Sequence, residues 1–232
     1  AVAEKYGDDR RSPLVARSEA RAFSEIELVT ADPITVVMSE KGWIRAAKGH
    51  DIDPTSLSYK SGDNYKMCAF GRSNQPVVIL DSTGRAYTVP SHNLPSARGQ
   101  GEPVTGRINP PSGASFNGLM MGADEALYLL ASDAGYGFVA KLGDLQTKNR
   151  AGKAVISLSK GAQVLQPAAI TTVEETLVAA VSSEGRLLIF PLADLPQMAR
   201  GKGNKIIGIP SARVQSREEF VVAVQVFTAQ DT

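Results

Sequence analysis

Four short apolar runs, Ile34–Met38, Val77–Leu80, Leu127–Leu130 and Leu177–Val181, each lead into a polar turn that ends on a glycine: Gly42, Gly84, Gly135 or Gly185. A second run follows each glycine, over Trp43–Ala47, Ala86–Val89, Tyr136–Ala140 and Leu187–Phe190. Two β-prone runs joined by residues of the Ser-Thr-Gly or Asp-Ala-Gly kind predict a hairpin, with glycine supplying the positive φ of the turn. The runs are apolar almost without a break, which predicts strands covered on both faces.

The hairpins belong to a longer repeat. Their glycines stand 42, 51 and 50 residues apart, and in the last three copies a leucine (Leu94, Leu145, Leu195) comes ten residues after the glycine. Four or five residues beyond it lies a Gly- and Arg-rich segment: Arg98-Gly99-Gln100-Gly101, Arg150-Ala151-Gly152-Lys153 or Arg200-Gly201-Lys202-Gly203. Further strands are expected over Lys153–Leu158 with Gln163–Ile170, and over Lys205–Ile209 with Phe220–Phe227. Four strands per repeat of about 50 residues is the unit of a propeller blade. The expected fold is therefore all-β and propeller-like, with repeats near 31–73, 74–123, 124–173 and 174–232. Residues 1–30, with a charged stretch and a helical pattern over Ser18–Leu28, read as a linker and lead-in segment.

Composition narrows the function. Hydrophobic content of 43% in 232 residues is ample for a core, while 6% aromatics and a single tryptophan, Trp43, exclude an aromatic cage in every repeat. The one cysteine, Cys68, lies in an apolar run and reads as a small buried side chain. No apolar run is long enough to span a membrane and no signal peptide is visible, so a cytoplasmic location is expected.

Net charge is only +1, but its distribution is uneven. Residues 1–30 carry five basic and six acidic side chains, whereas 141–160 hold Lys141, Lys148, Arg150, Lys153 and Lys160 against Asp144 alone. Residues 197–213 have four basic groups and no acid. Local field, more than the total, decides what a surface attracts.

Candidate chemistry is sparse. His50 and His92 have no cysteine or carboxylate at metal-ligand spacing, and Asp51 and Asp53 read as solvated loop acids. No catalytic triad or phosphate loop is present. Arg85 and Arg186, directly after hairpin glycines, read either as solvated turn residues or as phosphate contacts. In the Arg-Gly segments, glycine is expected to leave backbone N–H groups accessible while Arg and Lys add charge, a combination suited to phosphate oxygens.

These hairpin glycines, the Leu-Pro-Ser-Ala-Arg-Gly-Gln-Gly stretch from Leu94 and the opening Gly7-Asp8-Asp9-Arg10-Arg11-Ser12-Pro13-Leu14 resemble the C-terminal domain of the A subunit of bacterial type IIA topoisomerases. Lys41–Arg45, Lys48–Asp53, Ser73–Val78, Ala131–Phe138 and Gly201–Ile207 resemble its topoisomerase IV branch, and the likeness spans essentially the whole chain. The resemblance implies a β-pinwheel, a propeller variant whose outer strands are exchanged between neighbouring repeats and whose rim binds DNA. Family members usually carry five or six blades against four repeats counted here, which implies either a cut fragment or an open, incomplete ring. The gyrase branch has a box of the type Gln-Arg-Arg-Gly-Gly-Lys-Gly in its first blade; here Ile52–Gly62 stands in that region without it, which implies decatenation and relaxation over active supercoiling.

By the same resemblance the DNA-cleaving tyrosine, Mg²⁺ and ATP belong to other parts of the parent enzyme, and this segment has no catalytic, metal or cofactor residues. The implied partners, met at the bacterial nucleoid, are double-stranded DNA, the remaining domains of the same polypeptide and, through them, the ATPase B subunit. The candidate DNA-binding residues are Arg45, Lys48, Arg85, Arg98, Lys148, Arg150, Lys153, Arg186, Arg200, Lys202 and Lys205. The competing reading is a propeller-type scaffold for protein partners.

Overall fold

The computed structural model describes residues 4–5 and 30–228; the Gly7–Leu14 block and the expected helix over Ser18–Leu28 lie outside the described residues. The first repeat supplies β1 (Pro33–Ser39), β2 (Trp43–Lys48) and β3 (Tyr65–Arg72), and the second β4 (Pro76–Asp81), β5 (Arg85–Pro90), β6 (Glu102–Pro103) and β7 (Phe116–Met120). The third supplies β8 (Leu127–Ser132), β9 (Tyr136–Lys141), β10 (Lys153–Ala154) and β11 (Ala168–Ile170), and the fourth β12 (Thr176–Ser182), β13 (Leu187–Pro191), β14 (Asn204–Lys205) and β15 (Val221–Thr228). All four expected hairpins form, with antiparallel registers such as Val37↔Arg45, Ile79↔Tyr87, Leu129↔Val139 and Ala179↔Ile189.

The sheets do not coincide with the repeats. Their strand orders are β3-β1-β2-β6, β10-β5-β4-β7, β11-β8-β9-β14 and β13-β12-β15. Each of the first three hairpins thus receives a two-residue strand from the following repeat, always opposite the two residues after its turn glycine: Trp43 and Ile44, Arg85 and Ala86, Tyr136 and Gly137. The turn glycine's own carbonyl completes the join, accepting from Val104, from Val155 and Ile156, or from Ile206. The strands expected over Lys153–Leu158 and Lys205–Ile209 are correspondingly short, because the chain peels away once this join is made. Four antiparallel sheets in a propeller-like arrangement result, with contacts between β3 and β7 and between β11 and β15.

The continuous apolar runs are explained by packing between blades. In β4, Val77 and Ile79 join Val36, Met38 and Ile44 of the first blade, while Val78 and Leu80 join Leu130, Phe138 and Ala140 of the third. A third cluster joins Leu129 and Val139 to Val178, Ala180 and Val221. Leu145 and Leu195, ten residues after their glycines, are buried, so they anchor each repeat in an inter-blade core. The end blade differs: β12 alternates buried and half-buried positions, whereas β4 and β8 are buried along nearly their whole length. It is also three-stranded, contrary to the four strands expected, and its edge β13 exposes Leu187, Leu188 and Ile189.

A buried carboxylate braces each hairpin turn, a feature that spacing did not disclose. Asp63 accepts from Ser39 Oγ (2.6 Å) and the Lys41 amide (3.0 Å); Asp81 accepts from the Thr83 and Arg85 amides and from the Tyr87 hydroxyl (2.7 Å). Asp133 accepts from the Gln163 amide and Arg217, and Glu219 from Arg186 and Arg213. Burial by itself pushes the Glu219 carboxyl up, but the Arg186 hydrogen bond and the charges of Arg186 and Arg213 outweigh it, and the net shift is downward. A carboxyl lowered on folding contributes stability that is complete above its ordinary value and is lost as pH falls through the folded value. Glu219→Gln is therefore expected to be less stable than the parent chain at pH 7, with the gap closing as pH drops below about 4.5. Thermal melts across that range measure it, and a gap that stays constant removes the assignment.

Cys68 is half-buried on β3, with its sulfur accepting from the Tyr65 hydroxyl at 3.4 Å. No helix among the described residues is long and apolar enough to cross a membrane.

Candidate nucleic-acid interface

The Arg-Gly segments immediately precede the exchanged strands. Gly101, Gly152 and Gly203 have φ of 86°, 68° and 78°, and each lies against backbone of the preceding hairpin. A Cβ on Gly101 would sit 2.6 Å from the Ile44 carbonyl oxygen, one on Gly152 2.8 Å from that of Ala86, and one on Gly203 would overlap that of Gly137. These glycines are required for the exchange itself. The amides of Gly99, Gly152 and Gly201 are likewise engaged, with the carbonyls of Ser96, Asn149 and Val155.

The candidate basic side chains separate into two groups. Arg45 is buried, which corrects its expected place on the rim: its Nη1 donates to Ser58 O (2.8 Å) and Gly99 O (2.7 Å), and its guanidinium lies over the Tyr59 ring. It ties the Ile52–Gly62 segment to the first blade. Lys60 adds to the tie by lying over Trp43, 3.5 Å from the ring centroid. Arg85 donates to the carbonyls of Ala151 (2.9 Å) and Gly152 (3.1 Å), fastening the donated segment that crosses its hairpin. Arg150 bonds Arg107 O and Gly106 O, so these two arginines latch the second and third repeats together. Lys153 bonds Asp144 O and Gln146 O, and Arg186 bonds Glu219 and Gly208 O, each within its own repeat.

Lys48, Arg98, Lys148, Arg200, Lys202 and Lys205 are exposed, and among the described residues none has an ion pair. Four of them lie in, or directly follow, the Arg-Gly segments beside the outermost strands. Lys148 lines an open cleft of about 580 Å³ with His92, Gln146 and Asn74, at the end of the second hairpin. Lys202 lies over Tyr136, 3.8 Å from the ring centroid, and shares a cleft of about 260 Å³ with Lys205 and Lys160. Lys160 stands outside the candidate set drawn from the sequence; the charge excess of residues 141–160 is its one signal there.

His50 and His92 do not meet. His50 Nε2 is 3.0 Å from Gly71 O and its ring packs edge-on to Phe70. Among the described residues no group of three or more His, Cys, Asp or Glu is placed to hold a metal ion.

The family model described as DNA gyrase C-terminal domain, beta-propeller, matches residues 127–171 and 177–228. The A subunit of DNA topoisomerase 4 from Pseudomonas aeruginosa is 60% identical over 230 residues, covering 99% of this chain and 30% of the relative. Its counterpart from Escherichia coli K12 is 50% identical over 232 residues, covering 100% of this chain and 31% of the relative. The chain thus spans about a third of the length of these curated relatives. The solved E. coli ParC C-terminal domain superposes with a TM-score of 0.80 at 49% identity, covering 85% of this chain and 80% of that one. A DNA gyrase A C-terminal domain superposes at 0.61 with 18% identity, covering 87% and 68%, which shows a shared fold.

Proposed function

The chain belongs to the family of C-terminal domains of the topoisomerase IV A subunit, and on that premise we propose that it is a DNA-binding and DNA-bending accessory domain, which presents the transported duplex to a cleavage core elsewhere in the parent polypeptide. The observation that carries this reading is the set of cations without ion pairs, Arg98, Lys148, Arg200, Lys202 and Lys205, near the exchanged outer strands of successive blades. Such cations track a curved backbone through phosphate contacts, without base readout. In this reading the domain binds neither Mg²⁺ nor ATP. At the nucleoid it works with the rest of its own polypeptide and with the ATPase B subunit, and tunes decatenation and relaxation. The segment over Ile52–Gly62, held down by Arg45 and Lys60, supports weak chiral wrapping.

Duplex binding measured as a function of salt tests the proposal. With about five phosphate contacts, log K is expected to fall with log salt at a slope near −4.5, or roughly 500-fold between 50 and 200 mM. No binding at the lowest salt, or an affinity indifferent to salt, rejects it. The chain alone is expected to leave supercoiled plasmid uncut and unrelaxed.

One observation favours a protein partner as a second reading: the exposed β13 edge with Leu187, Leu188 and Ile189, since a bare apolar edge strand is a template for pairing. Capture of a partner that is lost in Ile189→Lys, with DNA binding unaltered, separates the two readings.

A further inference from the structure

The three strand exchanges are alike in backbone and unlike in charge. At the first, the donated pair is Glu102 and Pro103, and Glu102 is bound to Arg107. At the second it is Lys153 and Ala154, and Lys153 is held by the carbonyls of Asp144 and Gln146. At the third it is Asn204 and Lys205, and Lys205 pairs with Tyr136. Lys202 lies over that same ring, and Lys160 enters from the loop after the third repeat's donated strand. Ser159 and Ser211 add hydroxyls to the lining, and among the described residues no carboxylate lines the cleft.

Several other basic side chains have an acid for a partner: Arg186 and Arg213 at Glu219, Arg217 at Asp133, Arg107 at Glu102 and Lys141 at Glu125. Three ammonium groups brought to one cleft without a counter-charge repel one another, and a bound polyanion relieves that repulsion. The Tyr136 face limits the freedom of Lys202 in advance, which lowers the entropy lost on binding.

We propose that the cleft formed by Tyr136, Lys160, Lys202 and Lys205 seats the phosphodiester backbone of nucleic acid, so that the third strand exchange is the anchor of the bound duplex and the other rim cations are secondary. The inference rests on the DNA-binding reading, and refines it by making the rim contacts unequal.

Inorganic pyrophosphate serves as the small probe, followed through the Tyr136 ring resonances, and a random-sequence duplex serves as the large one. Pyrophosphate is expected to shift the Tyr136 signals saturably and to displace the duplex. Lys202→Ala and Lys205→Ala should each abolish saturation and weaken duplex binding about tenfold, whereas Lys48→Ala, outside the cleft, should weaken it less than about twofold. Tyr136→Phe keeps the ring face and should retain both properties; Tyr136→Leu should lose most of each, with thermal melts confirming that both variants are folded. Absence of a saturable shift overturns the inference, as does a duplex affinity equally sensitive to Lys48 and Lys202. In either case a salt-dependent affinity of the unaltered chain leaves the DNA reading standing. Failure of the unaltered chain to bind duplex at low salt sinks both, and the pyrophosphate titration then shows whether the cleft takes phosphate at all.

Discussion

Gly203→Ala is expected to destabilise the chain by about 2–4 kcal/mol, and Gly185→Ala by only about 1 kcal/mol. Both glycines have positive φ, 78° and 76°, so the cost of placing an L side chain in the left-handed region is common to both. Their surroundings differ. A Cβ on Gly203 would overlap the Gly137 carbonyl and approach the Phe138 amide at 3.0 Å, and neither backbone group can swing aside as a side-chain tip would. The donated segment would have to lift, loosening the pairs Asn204↔Gly137 and Lys205↔Tyr136 and the bond from the Ile206 amide to Gly135 O. A Cβ on Gly185 would meet nothing within 4 Å, because among the described residues no strand is donated to the fourth hairpin. The difference between the variants, read from urea unfolding, isolates the collision from the backbone strain. Equal losses would mean that the exchange contributes nothing to stability.

The second large effect concerns DNA. Arg200→Glu combined with Lys202→Glu removes two exposed cations near one outer strand and puts two anions in their place. A phosphate contact fully lost at about 0.1 M salt corresponds to roughly an eightfold loss of affinity; Lys202, in the anchoring cleft, is expected to cost about that much and Arg200, a secondary rim cation, about twofold, so the pair costs roughly 16-fold before the repulsion of the two new anions adds to it. The salt slope should flatten by about one to two units, one for the Lys202 contact and a fraction for the weaker Arg200 contact. In an enzyme reconstituted with this variant, decatenation should fall while DNA cleavage by the core persists. Neither side chain is buried, so the fold should survive, and circular dichroism checks this. Unchanged affinity and slope in a folded variant would place the DNA track elsewhere on the blades.

The period of the hairpins, their turn glycines and their apolar runs were sufficient to specify an all-β array of blades, because a strand packed on both faces must be apolar along its length and a tight turn must have positive φ. Val77–Leu80 illustrates this: its alternate residues enter two different inter-blade cores. The sequence also located the basic segments, since charge excess is additive along the chain. Partnership is not additive, and only the tertiary structure decided it. Arg45, Arg85, Arg150, Lys153 and Arg186 look no different from Arg98, Arg200 or Lys205 as letters, yet they bond carbonyls, or the Glu219 carboxylate, most of them far away in the chain. That Gly101, Gly152 and Gly203 must be glycine for the strand exchange, each lying against the backbone of the preceding hairpin, is likewise visible only in the fold. Tyr136, Lys160 and Lys202 came together for the same reason: the exchange folds three distant segments onto one strand end, and a contact made across repeats leaves no spacing that the linear chain can show.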